Sequence, residues 1–141
     1  MGKTLYEQDF GLWAEQMADL IEAGRFAELD IENLVEEVRD LSKRERDRLL
    51  SSLRLIVHHF LKWDYQPQKR SRSWLGTILR ERANVSLYLE DSPSLKRYLV
   101  DEWLYKMYVV ACADAFKETG LQFPEVCPYG IRDILERDIH F

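Results

Sequence analysis

The sequence predicts an all-α fold, on three observations. Apolar residues recur every three or four positions along most of the chain, which is the period of an amphipathic helix. Residues that cap helix N-termini precede these patterns, and glycine or proline follows them. No segment shows the sustained two-residue alternation of a strand. We therefore expect a single compact bundle of five or six helices, in one domain that covers residues 1–141.

The composition is that of a soluble globular protein. The chain has 141 residues, of which 46% are hydrophobic and 32% are charged, so it is long enough to bury one core. No apolar run approaches the roughly 20 residues that a membrane span requires. The N-terminus is polar and acidic, unlike a signal peptide, so Cys112 and Cys127 are predicted to be free thiols. We expect the protein to be cytoplasmic.

The first helix is predicted between Thr4 and Gly24. Thr4 and Glu7 have the spacing of a capping box, and Gly24 is a C-terminal stop. One face of this helix carries the apolar residues Phe10, Trp13, Ala14, Met17, Leu20 and Ile21.

Asp30 is predicted to cap a second helix, whose inner stripe is Leu34, Val38 and Leu41. Ser42 and Glu45 form another capping box, and the apolar stripe has a gap there. This pattern predicts a break near Ser42, with one continuous helix as the open alternative. The third helix then runs to about Tyr65. Its inner stripe is Leu49, Leu53, Ile56, Phe60 and Trp63.

Pro67 predicts a turn after Tyr65, because proline disfavours helix in the residue before it. Ser71 or Ser73 is predicted to cap the fourth helix. Its inner stripe is Trp74, Ile78, Val85 and Leu89.

Ser92 and Pro93 predict the start of a fifth helix, and Gly120 predicts its end. This helix has two apolar stripes, of which the first is Leu95, Leu99, Trp103, Met107 and Val110, and the second is Tyr98, Tyr105, Tyr108 and Cys112. A helix that is apolar on two sides is expected at the centre of a bundle. A short last helix is predicted from Ile131, Ile134 and Leu135, with Phe141 packing back.

Charge is distributed in three blocks. Between Glu7 and Asp40, eleven acids and two bases leave a net charge of −9. Between Ser42 and Arg82, eleven bases and four acids leave +7, the part of the chain from Ala83 carries −4, and Lys3 adds +1. The total is −5, so nothing global indicates binding to nucleic acid or an anionic membrane.

Several short motifs are spread over nearly the whole chain. They are Tyr6-Glu-Gln-Asp-Phe10-x-x-Trp13, Ala23-Gly24-Arg25-Phe26-x-x-Leu29-Asp30-x-Glu32-Asn33-Leu34-x-Glu36-Glu37, Lys62-Trp63-x-x-Gln66-Pro67-x-x-Arg70-Ser71-x-Ser73-Trp74, Asp91-Ser92-Pro93-Ser94-Leu95, Glu118-Thr119-Gly120-Leu121, Phe123-Pro124-Glu125 and Cys127-Pro128-Tyr129. In this combination they resemble a bacterial family, common in cyanobacteria, that is catalogued as domain of unknown function 29. The resemblance implies a small all-helical protein. It implies no activity, so it carries over no catalytic residue.

The basic turn is the predicted contact surface. It comprises Lys62, Trp63, Lys69, Arg70, Arg72 and Trp74. Cations beside flat rings suit phosphate contacts with base stacking, so an anionic ligand or single-stranded nucleic acid is one predicted partner. In the alternative interpretation the turn is internal. The tryptophans are then core anchors, and the arginines pair with the acids between Glu32 and Asp40.

Arg54 and His58 are the candidate catalytic residues of an alternative function. They stand four residues apart and so share a helix face. This spacing resembles the ribonuclease motif of the HEPN (higher eukaryotes and prokaryotes nucleotide-binding) families, which are understood to cleave RNA without a metal. Leu55 departs from that motif, which usually has a polar residue after the arginine.

No metal or cofactor is predicted. The chain has the three histidines His58, His59 and His140, without the Glu-x-x-His spacing of di-iron bundles and without a Cys-x-x-Cys pair. Cys112 is interpreted as a packing residue rather than a nucleophile. We therefore expect a non-enzymatic binding or interaction module. The alternatives are the metal-independent ribonuclease and a structural or regulatory protein that binds a partner through its acidic face. A protein partner and a symmetric homodimer both remain open.

Overall fold

The computed structural model describes residues 2–141 and is all-α in that range. The six α-helices there are α1 (Leu5–Gln8), α2 (Phe10–Glu22), α3 (Ile31–Tyr65), α4 (Arg72–Asp91), α5 (Asp101–Thr119) and α6 (Ile131–Glu136). Three short 3₁₀ turns separate them, at Phe26–Glu28, Pro67–Lys69 and Pro93–Tyr98. No strand is present among the described residues, and the predicted fold class is confirmed.

The chain divides into two compact units. Unit 1 ends at Lys43, and unit 2 runs from Arg44 to Phe141. α3 contributes its first part to unit 1 and the remainder to unit 2. One domain over residues 1–141 stays a prediction.

The first predicted helix is interrupted at Asp9. The Asp9 backbone is not helical, with φ −149° and ψ 86°, so α1 ends one residue before it and α2 begins one residue after it. Its carboxylate accepts a hydrogen bond from the Leu12 amide at 3.0 Å. A side chain that caps a helix in this way belongs to a residue outside the helix. The continuous helix is therefore wrong, although Thr4 does cap α1 and Gly24, with φ 71°, follows α2.

Unit 1 is organised around Trp13 and Met17, the buried apolar residues of its described part. The Trp13 indole N–H donates to Asp30 at 3.1 Å. Asp30 also accepts a hydrogen bond from the third amide of α3 at 3.5 Å, which confirms it as the N-cap. Tyr6 lies edge-on to Trp13, with ring centroids 4.7 Å apart, and donates to Glu37. That hydrogen bond raises the pKa of Tyr6 to about 12.

α3 is continuous through Ser42, so the predicted break is wrong and the alternative of one long helix is correct. Ser42 is an exposed residue inside the helix and caps nothing. The inner stripe predicted for the first part of α3 is also wrong, because Val38 and Leu41 are exposed and Leu34 is only partly buried.

Unit 2 has one hydrophobic core, to which the second part of α3 contributes most. The predicted stripe there is confirmed, since Leu49, Leu53, Ile56, Phe60 and Trp63 are all buried. Ile78 and Val85 of α4 and Ile134 of α6 pack into the same core. α5 adds Met107, Tyr108, Ala111 and Ala115.

The predicted start of the fifth helix at Ser92 is wrong. Pro93 opens a 3₁₀ turn that ends at Tyr98, and the Ser92 side chain makes no capping hydrogen bond. α5 begins only at Asp101, after an extended Val100. The end is as predicted, since Gly120 is the C-cap with φ 73°.

α5 buries one face, which takes residues from both predicted stripes. Tyr108 and Met107 lie in the core, whereas Tyr105 and Val110 are exposed. The expectation that both stripes of this helix are buried is therefore wrong. The short last helix is confirmed as α6, and Phe141 packs back with its ring 5.2 Å from that of Trp63.

Candidate functional site

The basic turn joins α3 to α4. The residue before Pro67 has φ −132° and ψ 61°, which is not helical, so α3 ends at Tyr65. Ser71 then caps α4 by accepting a hydrogen bond from the Trp74 amide at 3.2 Å. Ser71, and not Ser73, is therefore the cap. Pro67 thus marks the end of α3, and Ser71 marks the start of α4.

Lys62 is buried beneath the turn, with 4% of the residue exposed. Its ammonium nitrogen lies 3.0 Å from the Glu118 carboxylate of α5 and 4.5 Å from the centroid of the Trp74 ring. An ion pair and a cation–π contact thus compensate a buried charge. Lys62 ties α3, α4 and α5 together, and it is not available to a partner at the surface.

Trp63 and Arg70 form a second internal pair. Trp63 is 1% exposed, and the Arg70 guanidinium lies over its ring at 5.1 Å from the centroid. The Arg70 Nε–H donates to the Trp63 carbonyl oxygen at 2.8 Å. That carbonyl belongs to the last turn of α3, where no following helical N–H donates to it. Arg70 therefore closes the C-terminal end of α3.

Asp64 anchors the C-terminal segment beside the turn. Both of its carboxylate oxygens accept hydrogen bonds from the Arg137 guanidinium at 2.8 Å. The Tyr129 hydroxyl also donates to Asp64 at 2.8 Å. Burial raises the pKa of Asp64, but the hydrogen bonds from Arg137 and Tyr129 outweigh it, so the pKa is lowered. The carboxylate is held in its charged form.

Lys69 and Arg72 are the exposed part of the turn. Within unit 2 neither forms an ion pair, and Arg70 also has no carboxylate within ion-pair distance there. Trp74 lies next to them and is partly buried. The structure thus divides the predicted contact residues into an internal set (Lys62, Trp63 and Arg70) and an outer set (Lys69, Arg72 and Trp74).

Arg54 and His58 share a face of α3, and each meets a carboxylate of α5. The His58 Nε2 lies 2.7 Å from Glu118, and the Arg54 Nε lies 3.3 Å from Asp114. The Arg54 Nε is nevertheless buried without a hydrogen bond, because its N–H does not point at the Asp114 oxygen. His59 faces the helix backbone, 2.8 Å from the Leu55 carbonyl, and burial lowers its pKa.

Neither a cluster of metal ligands nor a thiol with a lowered pKa is present among residues 2–141. No three His, Cys, Asp or Glu side chains converge there in a way that could hold a metal ion. Cys112 and Cys127 are free, and burial raises the pKa of both thiols. A raised pKa keeps a thiol protonated and so lowers its nucleophilicity.

The chain matches a known protein family over nearly its whole length. The model of the family described as "Domain of unknown function DUF29" matches residues 5–140. The chain belongs to this family. No curated protein and no solved structure matches the DUF29 protein. Among residues 2–141, no helix of this DUF29 protein combines the length and the apolar character that crossing a membrane requires.

Glu118 and Asp64 are central residues of this site in the DUF29 protein that the sequence did not indicate. Glu118 binds both His58 and Lys62, and Asp64 binds Arg137 from the far end of the chain. Burial raises the pKa of Glu118, but hydrogen bonds from Lys62 and His58 outweigh it, so the pKa is lowered. The partners are 56 to 73 residues apart in sequence, so no local pattern could pair them.

Proposed function

We propose that this DUF29 protein is a non-enzymatic binding module that contacts an anionic partner through the outer set of the basic turn. The ligand class we infer is single-stranded nucleic acid. Lys69 and Arg72 would bind phosphates, and Trp74 would offer an edge or face to a base. The observation that carries the proposal is the pair of exposed cations without a carboxylate partner in their own unit.

The internal set supports the proposal by holding the turn in one conformation. Arg70 is fixed on Trp63, and Lys62 is fixed between Glu118 and Trp74. A binding surface that is already ordered loses less conformational entropy when a ligand arrives. Lys69 and Arg72 therefore belong to a turn whose backbone the internal set already holds in one conformation.

The net charge of −5 favours a local contact over general attraction to nucleic acid. The two outer cations can neutralise about two phosphates. Affinity should then be modest and should fall about sevenfold when the salt concentration rises fourfold, because each neutralised phosphate releases counterions.

The test is a gel shift with a mixed pool of single-stranded RNA at about 50 and 200 mM salt. Wild type is compared with Lys69→Ala/Arg72→Ala, which leaves the internal set intact. We expect wild type to shift RNA at low salt and the double variant to bind weakly. The slope of log affinity against log salt should fall by about 1.4, or about 0.7 for each phosphate contact removed.

The matched control is Lys96→Ala/Arg132→Ala. It removes one lysine and one arginine that are exposed elsewhere in unit 2, so the net charge is the same. If this control loses as much affinity as the turn variant, binding follows the total charge and the proposed surface is wrong. If wild type does not bind, a protein partner at the acidic face becomes the better hypothesis.

Ribonuclease activity through Arg54 and His58 has less support. Both side chains face carboxylates of α5, and His58 has only 15% of its side chain exposed. To act as a general base, His58 would need to reach the ribose hydroxyl of a bound RNA substrate. The same gel lanes read out this alternative, because wild type would shorten the RNA and His58→Ala would not.

A further inference from the structure

Unit 2 contains a cavity between the start of α5 and the segment that joins α5 to α6. It has a volume of about 490 Å³, which is within the range of about 300–1,000 Å³ that small-molecule sites occupy. Its wall is mainly apolar and includes the side chains of Leu99, Leu104, Tyr105, Val126 and Ile131. A cavity of this size and lining fits a ligand with a compact apolar body.

Two acidic side chains give this cavity a negative charge. Asp101, the first residue of α5, and Glu125, in the segment after α5, both line it. Within the described range, no lysine, arginine or histidine lines it. Neither carboxylate forms an ion pair within unit 2, whereas the neighbouring Glu102 is paired with Lys106 at 3.7 Å. Two unpaired carboxylates on an otherwise apolar wall are complementary to a cation.

We propose that this cavity binds a small organic amine, whose apolar body fills the cavity and whose ammonium group binds Asp101 and Glu125. An organic cation suits the site better than a metal ion, because no three His, Cys, Asp or Glu side chains converge among residues 2–141. The proposal is independent of nucleic-acid binding, since the cavity and the basic turn share no residue and attract opposite charges.

The segment that forms one wall of the cavity is fixed to the core of unit 2. The Tyr108 hydroxyl donates to the Pro124 carbonyl oxygen at 2.5 Å. Tyr129 is buried and donates to Asp64 at 2.8 Å, and its own carbonyl oxygen accepts from the Cys127 thiol at 3.3 Å. These contacts give the wall one conformation, and an ordered wall loses less conformational entropy when a ligand binds.

Two probes with the same apolar body and opposite charges test the site, 4-phenylbutylamine and 4-phenylbutyrate. A titration of the isotope-labelled full chain followed by NMR measures each affinity and locates the binding site. We expect 4-phenylbutylamine to bind with a dissociation constant of about 1 mM, which is ordinary for a ligand of this size, and 4-phenylbutyrate to bind at least about tenfold more weakly. The amide signals that shift should belong to residues 99–105 and 125–131.

The variant Asp101→Asn/Glu125→Gln removes both charges and keeps the size of both side chains. It should bind 4-phenylbutylamine at least about fivefold more weakly, because two charge interactions are lost. Its matched control is Glu90→Gln/Asp91→Asn, which removes one glutamate and one aspartate that are exposed elsewhere in unit 2. This control should bind as tightly as wild type.

A second variant tests the site without removing an acid. Val126→Lys changes a side chain that is 79% exposed, so the fold should be kept. The new ammonium would compete for the two carboxylates, and 4-phenylbutylamine should bind more weakly. The proposal is overturned if neither probe binds at concentrations up to about 10 mM, or if both probes bind equally. It is also overturned if the control loses as much affinity as Asp101→Asn/Glu125→Gln, since binding then follows the total charge.

Discussion

Lys62 is a charged residue in the position of a core residue. It stands between Leu61 and Trp63, which are both buried, and its own ammonium reaches Glu118 and the face of Trp74. A lysine in water is strongly hydrated, so its burial is tolerated only with such partners. Glu118 is half exposed and therefore supplies the pair at a smaller desolvation cost than a second buried charge would.

Glu118→Gln should lower the free energy of unfolding by about 1 kcal/mol, as expected for a hydrogen bond to a charged group that is partly screened by solvent. The amide keeps the size of the side chain but cannot compensate the Lys62 charge. Urea unfolding at pH 7 measures the difference. Glu90→Gln is the control, because Glu90 is exposed and forms no ion pair within unit 2.

The destabilisation should depend on pH. The pKa of Glu118 is lowered from its ordinary value of 4.5, so its contribution is fully present above that pH. It is lost as the pH falls through the lower pKa of the folded state, where the carboxylate takes up a proton. Wild type and Glu118→Gln should therefore converge in stability below pH 4.5. A difference that stays constant to pH 3 would contradict this role.

In the second part of α3 the sequence pattern located the buried apolar residues well, but it located buried polar residues poorly. Phe60 and Ile56 follow the helix period, and both are buried as predicted. Glu81 also lies on the buried side of α4, where it accepts a hydrogen bond from Ser52 at 2.8 Å. Its local partners Arg80 and Asn84 do not distinguish Glu81 from a solvent-exposed glutamate, because the partner from the core, Ser52, comes from α3. The same reason explains why Lys62 was predicted as a contact residue.

At the scale of the helix, Ser42 and Ser71 show when a capping motif marks the start of a helix and when it does not. Both serines stand before helical patterns. Ser71 follows a proline turn that ends α3, so the next helix needs a cap. Ser42 follows residues that are already helical, so its hydroxyl has no free amide to accept from. A capping motif therefore predicts a boundary only where something else has ended the preceding helix.

Substituting each serine with alanine should change stability in opposite directions. Ser42→Ala should stabilise the protein by about 0.5 kcal/mol, because alanine has the higher helix propensity at an exposed position. Ser71→Ala should destabilise it by about 1 kcal/mol, because an N-cap is lost. Thermal unfolding followed by circular dichroism measures both. A destabilising Ser42→Ala would indicate a helix boundary in α3.

α5 shows why a doubly apolar helix need not be central. Its two sides carry similar residues, with Tyr108 on the buried side and Tyr105 on the exposed side. Hydrophobic periodicity shows that two sides are apolar, but not whether the second side meets its own chain or another one. That question depends on how many helices the chain supplies, which periodicity does not determine.

At the scale of the whole molecule, the charge blocks follow the division into units. The change from acidic to basic sequence lies between Asp40 and Ser42, next to the boundary at Lys43. The composition therefore contained a signal of two units. The boundary falls inside the continuous helix α3, and one domain over residues 1–141 stays a prediction.

A fragment of residues 44–141 should fold by itself. All members of the main hydrophobic core lie at or beyond Leu49, whereas the described part of unit 1 buries only Trp13 and Met17 among its apolar residues. We expect cooperative thermal unfolding and retained helical circular dichroism for the fragment. A fragment of residues 1–43 should be largely unfolded, since so small a core does not offset the conformational entropy. If residues 44–141 unfold without cooperativity, the chain behaves as the single domain that the sequence predicted.

The placement of the four tryptophans provides an intrinsic optical probe of each unit. Trp13 is the tryptophan of unit 1, and Trp63, Trp74 and Trp103 belong to unit 2. Trp103 has Lys106 on its ring at 4.5 Å from the centroid and Arg46 at 4.9 Å, whereas Trp13 is enclosed by other aromatic rings. Their emission maxima should therefore differ. A chain that keeps only Trp13 would report the melting of unit 1 by fluorescence, without any attached dye.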